Sequence, residues 1–258
     1  MRRLPLAAIA LTASFVLACS PGSEAPATDG GATVAPSPSP SEAAPALLAS
    51  LPVDLAAVDW AAVMAESDLY PGGTPIADFG FVHGEDTSDE RRNPQPTFYV
   101  PLGTPVLAPI DGVVVAIEPL YSGDLTIMYA SGPDVRVPVW ETEHVEDPLV
   151  AVGDTVVAGQ PVAVVSDYSC FYSRAQFGNE EWCGRGIGLV ELGHLVGGAV
   201  PKHFCPFATD LVDAAAWPTI EAELTAARAT IEELAGTTLF DTASWATPYC
   251  IVLEPIEG

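Results

Sequence analysis

The chain has 258 residues, with 34 Asp and Glu against 9 Lys and Arg, a formal net charge of -25 and a sequence pI near 4.1. So acidic a surface repels nucleic acid, and anionic lipid head groups or wall polymers are poor nonspecific partners for it. Hydrophobic residues make up 49%, enough for a folded core, and adaptation to a saline habitat explains the acidity more simply than function does.

Arg2 and Arg3 open a positive segment, Leu4 to Leu17 is apolar but too short to span a bilayer, and Ala18 precedes Cys19. This is the layout of a secretory signal. The cysteine at the expected cleavage point resembles a bacterial lipobox, which implies that Cys19 is lipidated and the mature chain is extracytoplasmic, tied to the membrane by that anchor only. An ordinary signal peptide that happens to contain Cys19 is the alternative. Residues 1–19 are thus assigned as a lipoprotein-type signal. Residues 20–50, rich in Pro, Ser, Ala and Gly, are assigned as a disordered tether, because they bury too little apolar surface to offset the entropy of ordering.

Residues 51–100 form a lead-in. Leu55, Val58, Ala62 and Met64 recur at helical spacing ahead of Pro71, Gly72 and Gly73, and 84–96 is a polar loop. Two glycine-punctuated runs follow, Gly103 to Ile117 and Val152 to Val165, each a β-branched strand broken by turns at Pro109–Gly112, Gly153–Asp154 and Gly159–Pro161. Gly supplies positive φ and Pro presets the turn entry. Their likeness predicts two related halves of a small β-structure. Strands are expected at 97–100, 105–109, 112–118, 124–130, 135–140, 161–166 and 187–192, an all-β signal.

Residues 201–258 differ. Asp210 to Ala216 is helix-like, and Pro218 to Gly236 carries Ile220, Leu224, Ala227, Ile231 and Leu234 on one stripe, with Pro at the start and Gly at the stop. The stripe fits packing against the β-body better than a partner face, and the tail after Leu239 is expected to lie across the surface. Beyond Cys19 there are four cysteines, an even number in an exported chain. Of three possible pairings, Cys170 with Cys183 and Cys205 with Cys250 is the one expected. No Cys-x-x-Cys pair supports a zinc–thiolate site. Tyr172 and Trp182, beside the first bridge, are candidates for an exposed binding lip, because aromatic faces stack on sugar rings.

The two runs, Gly103–Ile117 and Val152–Val165, resemble the core of the lysostaphin-type (LytM) zinc endopeptidases that cut bacterial peptidoglycan. The likeness covers roughly residues 97–195, with the β-domain assigned to 101–200. It implies an all-β core, a duplicated hybrid motif forming a small sandwich or barrel, with a C-terminal helical appendage. It also implies peptidoglycan, or a wall hydrolase, as partner. Such an enzyme holds zinc through two histidines and an aspartate, and the metal lowers the pKa of its bound water.

The ligands are not where the family has them. At ordinary spacing the first histidine and the aspartate become Asn93 and Thr97; with an insertion, Asp86 is in place but Val82 stands for the histidine. The late His-x-His falls at Ile187 and Leu189 if Glu191 is the acid that follows it. His144 alone matches a family histidine, one that lines the cleft. The resemblance therefore implies a degenerate, non-catalytic domain without cofactor, which binds cell wall or regulates a wall hydrolase, as degenerate members of the family do. The alternative is a divergent zinc endopeptidase with catalytic His144 and a rewired set from His83, Asp86, His144 and Glu191. A plainer reading leaves His83, His194 and His203 in loops and Glu191 solvated.

Other chemistries find less. Ser166 and Ser169 lack a Gly-x-Ser-x-Gly setting, and no glycine loop cradles phosphate at a helix start. Biotinyl and lipoyl carriers share the hybrid motif, but Lys202, the only lysine, lies outside the hairpin.

Overall fold

The computed structural model describes residues 45–257, apart from 67–69, 71–72, 84–89, 136, 138 and 198–199. The signal, Cys19 and most of the tether lie outside the described residues. The last residues assigned to the tether belong to the body. Leu48 is fully buried, and its N–H donates to the Leu211 carbonyl at 2.8 Å, because its aliphatic side chain fills the core where the Pro- and Ser-rich stretch could not.

The lead-in carries a 3-10 turn at Leu55–Ala57 and helix α1 at Trp60–Met64. The single helix expected there is broken because Asp54 and Asp59 each cap a separate short element and Val58 between them is extended. Trp60 and Val63 take the inner positions, while Ala62 faces solvent. Short strands β1 (Ile76–Ala77), β2 (Val82–His83) and β3 (Arg91–Arg92) follow. The body then runs through β4 (Thr97–Pro101), β5 (Pro105–Leu107), β6 (Gly112–Pro119), β7 (Leu125–Ala130), β8 (Val139–Glu146), β9 (Thr155–Val156) and β10 (Pro161–Val165). After these come helix α2 (Tyr168–Phe177), β11 (Ile187–Val196), β12 (Lys202–His203), helix α3 (Trp217–Ala235) and β13 (Ile256–Glu257). Among the described residues no helix is long and apolar enough to cross a membrane.

The main sheet is ordered β1-β4-β11-β8-β7-β6-β9, with β10 bridging β5 and β8 and with β12 carrying β13 at the edge of β11. The two glycine-punctuated runs are related in space as in sequence. The first supplies β5 and β6 and the second β9 and β10; β5 pairs with β10 and β6 with β9. Gly112 is needed where β6 passes β7, since a Cβ there would run into the Ala130 carbonyl oxygen. Phe98, Ile127, Tyr129, Trp140, Val190 and Leu192 fill one side of the sheet.

Four expectations shift. The strand placed at 135–140 runs from Val139 to Glu146 instead; its Glu141 and Glu143 point to the face opposite the core. Asn93 and Gln95, assigned to a polar loop, are buried. Tyr168–Phe177 is a helix rather than a loop, capped by Asp167 and stopped at the left-handed Gly178. Asp210–Ala216 forms turns, with the Asp213 carboxylate accepting from the Ala215 and Ala216 N–H groups, and the helix begins only at Trp217.

Helix α3 buries Ile220, Leu224, Ala227 and Ile231 as expected, packing over α1 and the Leu55–Ala57 turn. Each large side chain so buried contributes about 1.5–3 kcal/mol. Leu234, in the last turn, is exposed instead. The buried face also carries Arg228, beside Ala227, which pairs with Asp78 through both guanidinium nitrogens and lies under the Phe240, Trp245 and Tyr249 rings. The tail is therefore part of the body: Phe240, Tyr249 and Cys250 are buried. Both expected bridges form, Cys170–Cys183 and Cys205–Cys250, with Cα separations of 4.1 and 6.0 Å.

Candidate functional site

The face of the sheet opposite the core carries a polar row. Register places Thr97 of β4 opposite Glu191 of β11, Glu191 opposite Glu143 of β8, and Glu143 opposite Thr126 of β7. Paired residues project to the same side, so four neighbouring strands each set one of these side chains on one surface. Beyond Glu143 the β7–β8 register slips: Leu125 pairs with Val145 and Thr126 with Glu143, which leaves His144 as an extra, unpaired residue. Its φ is 61°, in the left-handed region. A bulge of this kind re-aims a side chain, and here it brings the His144 imidazole to the same surface as Glu143.

Hydrogen bonds fix the ring. His144 Nδ1 lies 3.0 and 3.2 Å from the two carboxylate oxygens of Asp124, which can only accept, so Nδ1 carries the proton and donates. Asp124 also accepts from the Ser166 hydroxyl at 2.6 Å and from Ser122. On the other side His144 Nε2 stands 3.6 Å from Glu191 Oε2. Glu191 Oε1 accepts from the Thr97 hydroxyl at 2.9 Å, and that hydroxyl accepts from the Asn93 amide at 3.1 Å.

The electrostatics follow from burial and from crowding like charges. Burial alone would lower the His144 pKa, but the Asp124 hydrogen bond and the Glu191 and Glu143 charges outweigh it and raise it. Burial would raise Asp124, yet the bond and charge from His144 and the two serine hydroxyls hold it below the usual range. Glu143 is pushed up to about 7 by burial and then by the Glu191 charge. Burial also raises Glu191 and lifts Glu141 well above the ordinary value, with Glu143 and Glu191 adding to the latter. Three carboxyls on one surface cannot all ionise cheaply. Glu141 is the most buried of them; it fits only because Gly193 opposite has no Cβ to meet its carboxyl group and the Gln95 amide.

An aromatic wall borders this row. The Tyr168 ring lies 4.2 Å from the His144 ring, with Tyr172 5.6 Å further on, and Trp182 stacks on Tyr172 at 6.1 Å and 5°. The Tyr121 and Tyr168 hydroxyls are 3.3 Å apart. Tyr121, Phe177 and Trp182 are 64, 58 and 39% exposed. The rings are exposed while the row itself is largely buried, with Thr97, Asp124, Thr126 and His144 each at most 3% exposed. Two hollows among the described residues lie elsewhere, one beside Leu51 and Ile220, the other beside His194 and Cys205.

Of the residues singled out from sequence, His144 and Glu191 come together, and Tyr172 and Trp182 stand beside them. Asp86 lies outside the described residues. His83 sits on β2 and does not join the group; burial and then the Arg91 charge lower its pKa, against a hydrogen bond with Asn93. His194 and His203 are buried strand residues rather than loop residues, and Glu191 is partly buried and hydrogen-bonded rather than solvated. Along β11 it is Glu191, not Leu189, that faces Thr97. Asp124 and Thr126 escaped sequence reasoning, and Ser166 was weighed only as a nucleophile, not as a donor to Asp124. The Ser-x-Asp spacing of Ser122 and Asp124 was a weak local sign; the rest depends on strand register.

The zinc site implied by the resemblance does not fit these residues. Asn93 and Thr97, at the first two ligand positions, are a carboxamide and a hydroxyl already bonded to one another and to Glu191. A different trio, Glu143, His144 and Glu191, offers ligand atoms within 4.8 Å of one another.

No family model and no curated protein matches the chain. Among solved structures it is similar to LytU, at 22% identity and a TM-score of 0.35, over 49% of this chain and 76% of that one. It is likewise similar to the catalytic domain of the prophage-encoded M23 protein EnpA from Enterococcus faecalis, at 19% identity and 0.36, over 53% and 92%. Lysostaphin matches at 20% and 0.32, over 51% of this chain and 44% of its own length.

Proposed function

We propose that the chain is an envelope-anchored lipoprotein whose β-domain binds cell wall, or a wall hydrolase, without cutting peptidoglycan. The observation that carries this reading is the Asn93–Thr97–Glu191 hydrogen-bonded chain. It occupies the surface where a zinc endopeptidase would present ligands, and its donors and acceptors satisfy one another. The exposed rings beside it supply a surface suited to sugar or peptide. The wall as ligand rests on the likeness of the two strand runs to the lysostaphin-type core, and the anchor rests on the signal ending at Cys19.

A sedimentation assay on purified peptidoglycan tests it. The full-length chain should co-sediment without releasing soluble fragments. Tyr172→Ala with Trp182→Ala should lower the bound fraction severalfold while leaving the circular dichroism spectrum unchanged. Wall fragments released by the intact chain, but not by His144→Ala, would sink the reading.

One observation favours a second reading, a divergent metallopeptidase. Asp124 holds the His144 Nδ1 proton and leaves Nε2 facing Glu191 and Glu143, the orientation that a carboxylate imposes on a metal-bound histidine.

A further inference from the structure

We propose that the partly buried face formed by Glu143, Glu191 and Thr126 is a receptor for a primary ammonium group, with the Tyr121, Tyr172 and Trp182 rings taking the chain that bears it. This deepens the binding reading above and rests on it.

The argument starts from an unmatched hydroxyl. Thr126 is 2% exposed, and its Oγ1 has no hydrogen-bond partner. Its Cα is paired with that of Glu143, so its side chain stands on the surface that carries the carboxyls. Leaving such a group unpaired costs about 1–3 kcal/mol. A ligand donor entering beside Glu143 would recover that cost.

The charge is unmatched as well. His144 stands within the row with its Nδ1 proton committed to Asp124, and His203 Nδ1 lies 3.3 Å from a Glu141 oxygen. Arg91 lends field to Glu191, but no salt bridge joins them among the described residues. Lys202, the only lysine, lies on β12. The row thus presents more carboxyl groups than cations, on a surface that is only partly solvated.

Three acceptors then stand on neighbouring strands: a Glu191 oxygen, a Glu143 oxygen and the Thr126 hydroxyl. A primary ammonium has three N–H donors and no acceptor, so this set can satisfy one such group. A hard divalent cation would seek six or more oxygens and would make no use of the rings. An organic cation uses both, because the faces of Tyr and Trp attract positive charge within about 6 Å. The rings continue outward from His144 through Tyr168 and Tyr172 to the exposed Trp182, a path along which the rest of the ligand can lie.

A primary ammonium on a wall peptide comes either from a chain terminus or from a lysine-like side chain, so the test has two arms. Triglycine amide supplies the first group and Nα-acetyl-lysine methylamide the second. Each is titrated calorimetrically into the full-length chain beside its N-acetylated counterpart. At least one free amine should bind, with acetylation or Glu143→Gln weakening it roughly tenfold, the loss of one charge-assisted hydrogen bond. The arm that responds identifies the source. The acetylated probes require no change in the protein, so a poorly folded Glu143→Gln variant does not blunt the test. Equal affinity for free and acetylated probes, or no binding by either amine, overturns the proposal. Peptidoglycan whose amino groups have been acetylated separates the two claims. If the chain sediments with it as well as with untreated wall, wall binding stands and the ammonium receptor falls.

Discussion

His144 shows how far a single position can be read. Its place in the run Trp140-Glu-Thr-Glu-His144 matched a family histidine, and the structure puts it at the centre of the polar surface. What the sequence could not show is the bulge that turns it there or the Asp124 carboxylate that orients it, since both depend on how β7 registers against β8. His194 was legible as a residue but not as a buried one. It sits on the core side against Trp140 at 4.7 Å, its Nδ1 is unpartnered, and burial pushes its pKa down to about 4. The folded state therefore refuses a proton that the unfolded chain accepts below about 6.5. Stability from this residue is fully present above that pH and is lost as pH falls toward 4, by up to roughly 3 kcal/mol. Glu141, Glu143 and Glu191 act in the opposite sense, because raised carboxyl pKa values favour the fold as pH falls. A difference measurement isolates the histidine. Denaturant unfolding at pH 7 and pH 4 should show wild type losing stability relative to His194→Phe, which keeps a ring but cannot titrate. A difference that does not change with pH would refute the assignment.

Among the elements, the strands flanked by Gly and Pro were legible because turn chemistry is local. Strand β8 was expected to stop at residue 140 and runs on to Glu146, through the acids that the site is made of. Helix α2 was missed because Tyr, Phe, Cys and Ser are weak helix formers; Asp167 at its start and Gly178 at its stop were the signals available. This helix matters to function through its bridge. Cys170–Cys183 ties α2 to the turn that holds Trp182 against Tyr172. Replacing both cysteines with Ser removes a cross-link over 13 residues, worth about 3 kcal/mol in the chain-entropy account. Because the bridge lies at the edge of the body, its loss should lower the melting temperature modestly and release the Tyr172–Trp182 stack. Wall sedimentation should then fall as in the Tyr172→Ala, Trp182→Ala variant, with the β-sheet circular dichroism retained. Undiminished wall binding would show that the rings need no such fixing.

At the scale of the molecule, the all-β body with a helical appendage was readable from patterning; the even count of cysteines pointed to two bridges, and of three possible pairings the expected one forms. The closure of the tail was not readable. Arg228 interrupts an apolar stripe and looks out of place until Asp78, Phe240, Trp245 and Tyr249 are seen around it, contacts that span up to 150 residues of sequence. The same long-range assembly brings Thr97, Glu143 and Glu191 together on one face and decides whether that face can hold zinc. Metal content is the most direct test. The full-length chain, purified without chelator and with its bridges oxidised, should carry no stoichiometric zinc by elemental analysis and gain none on dialysis against zinc at neutral pH. Stoichiometric zinc that disappears in His144→Ala would contradict the account and establish the divergent peptidase in its place.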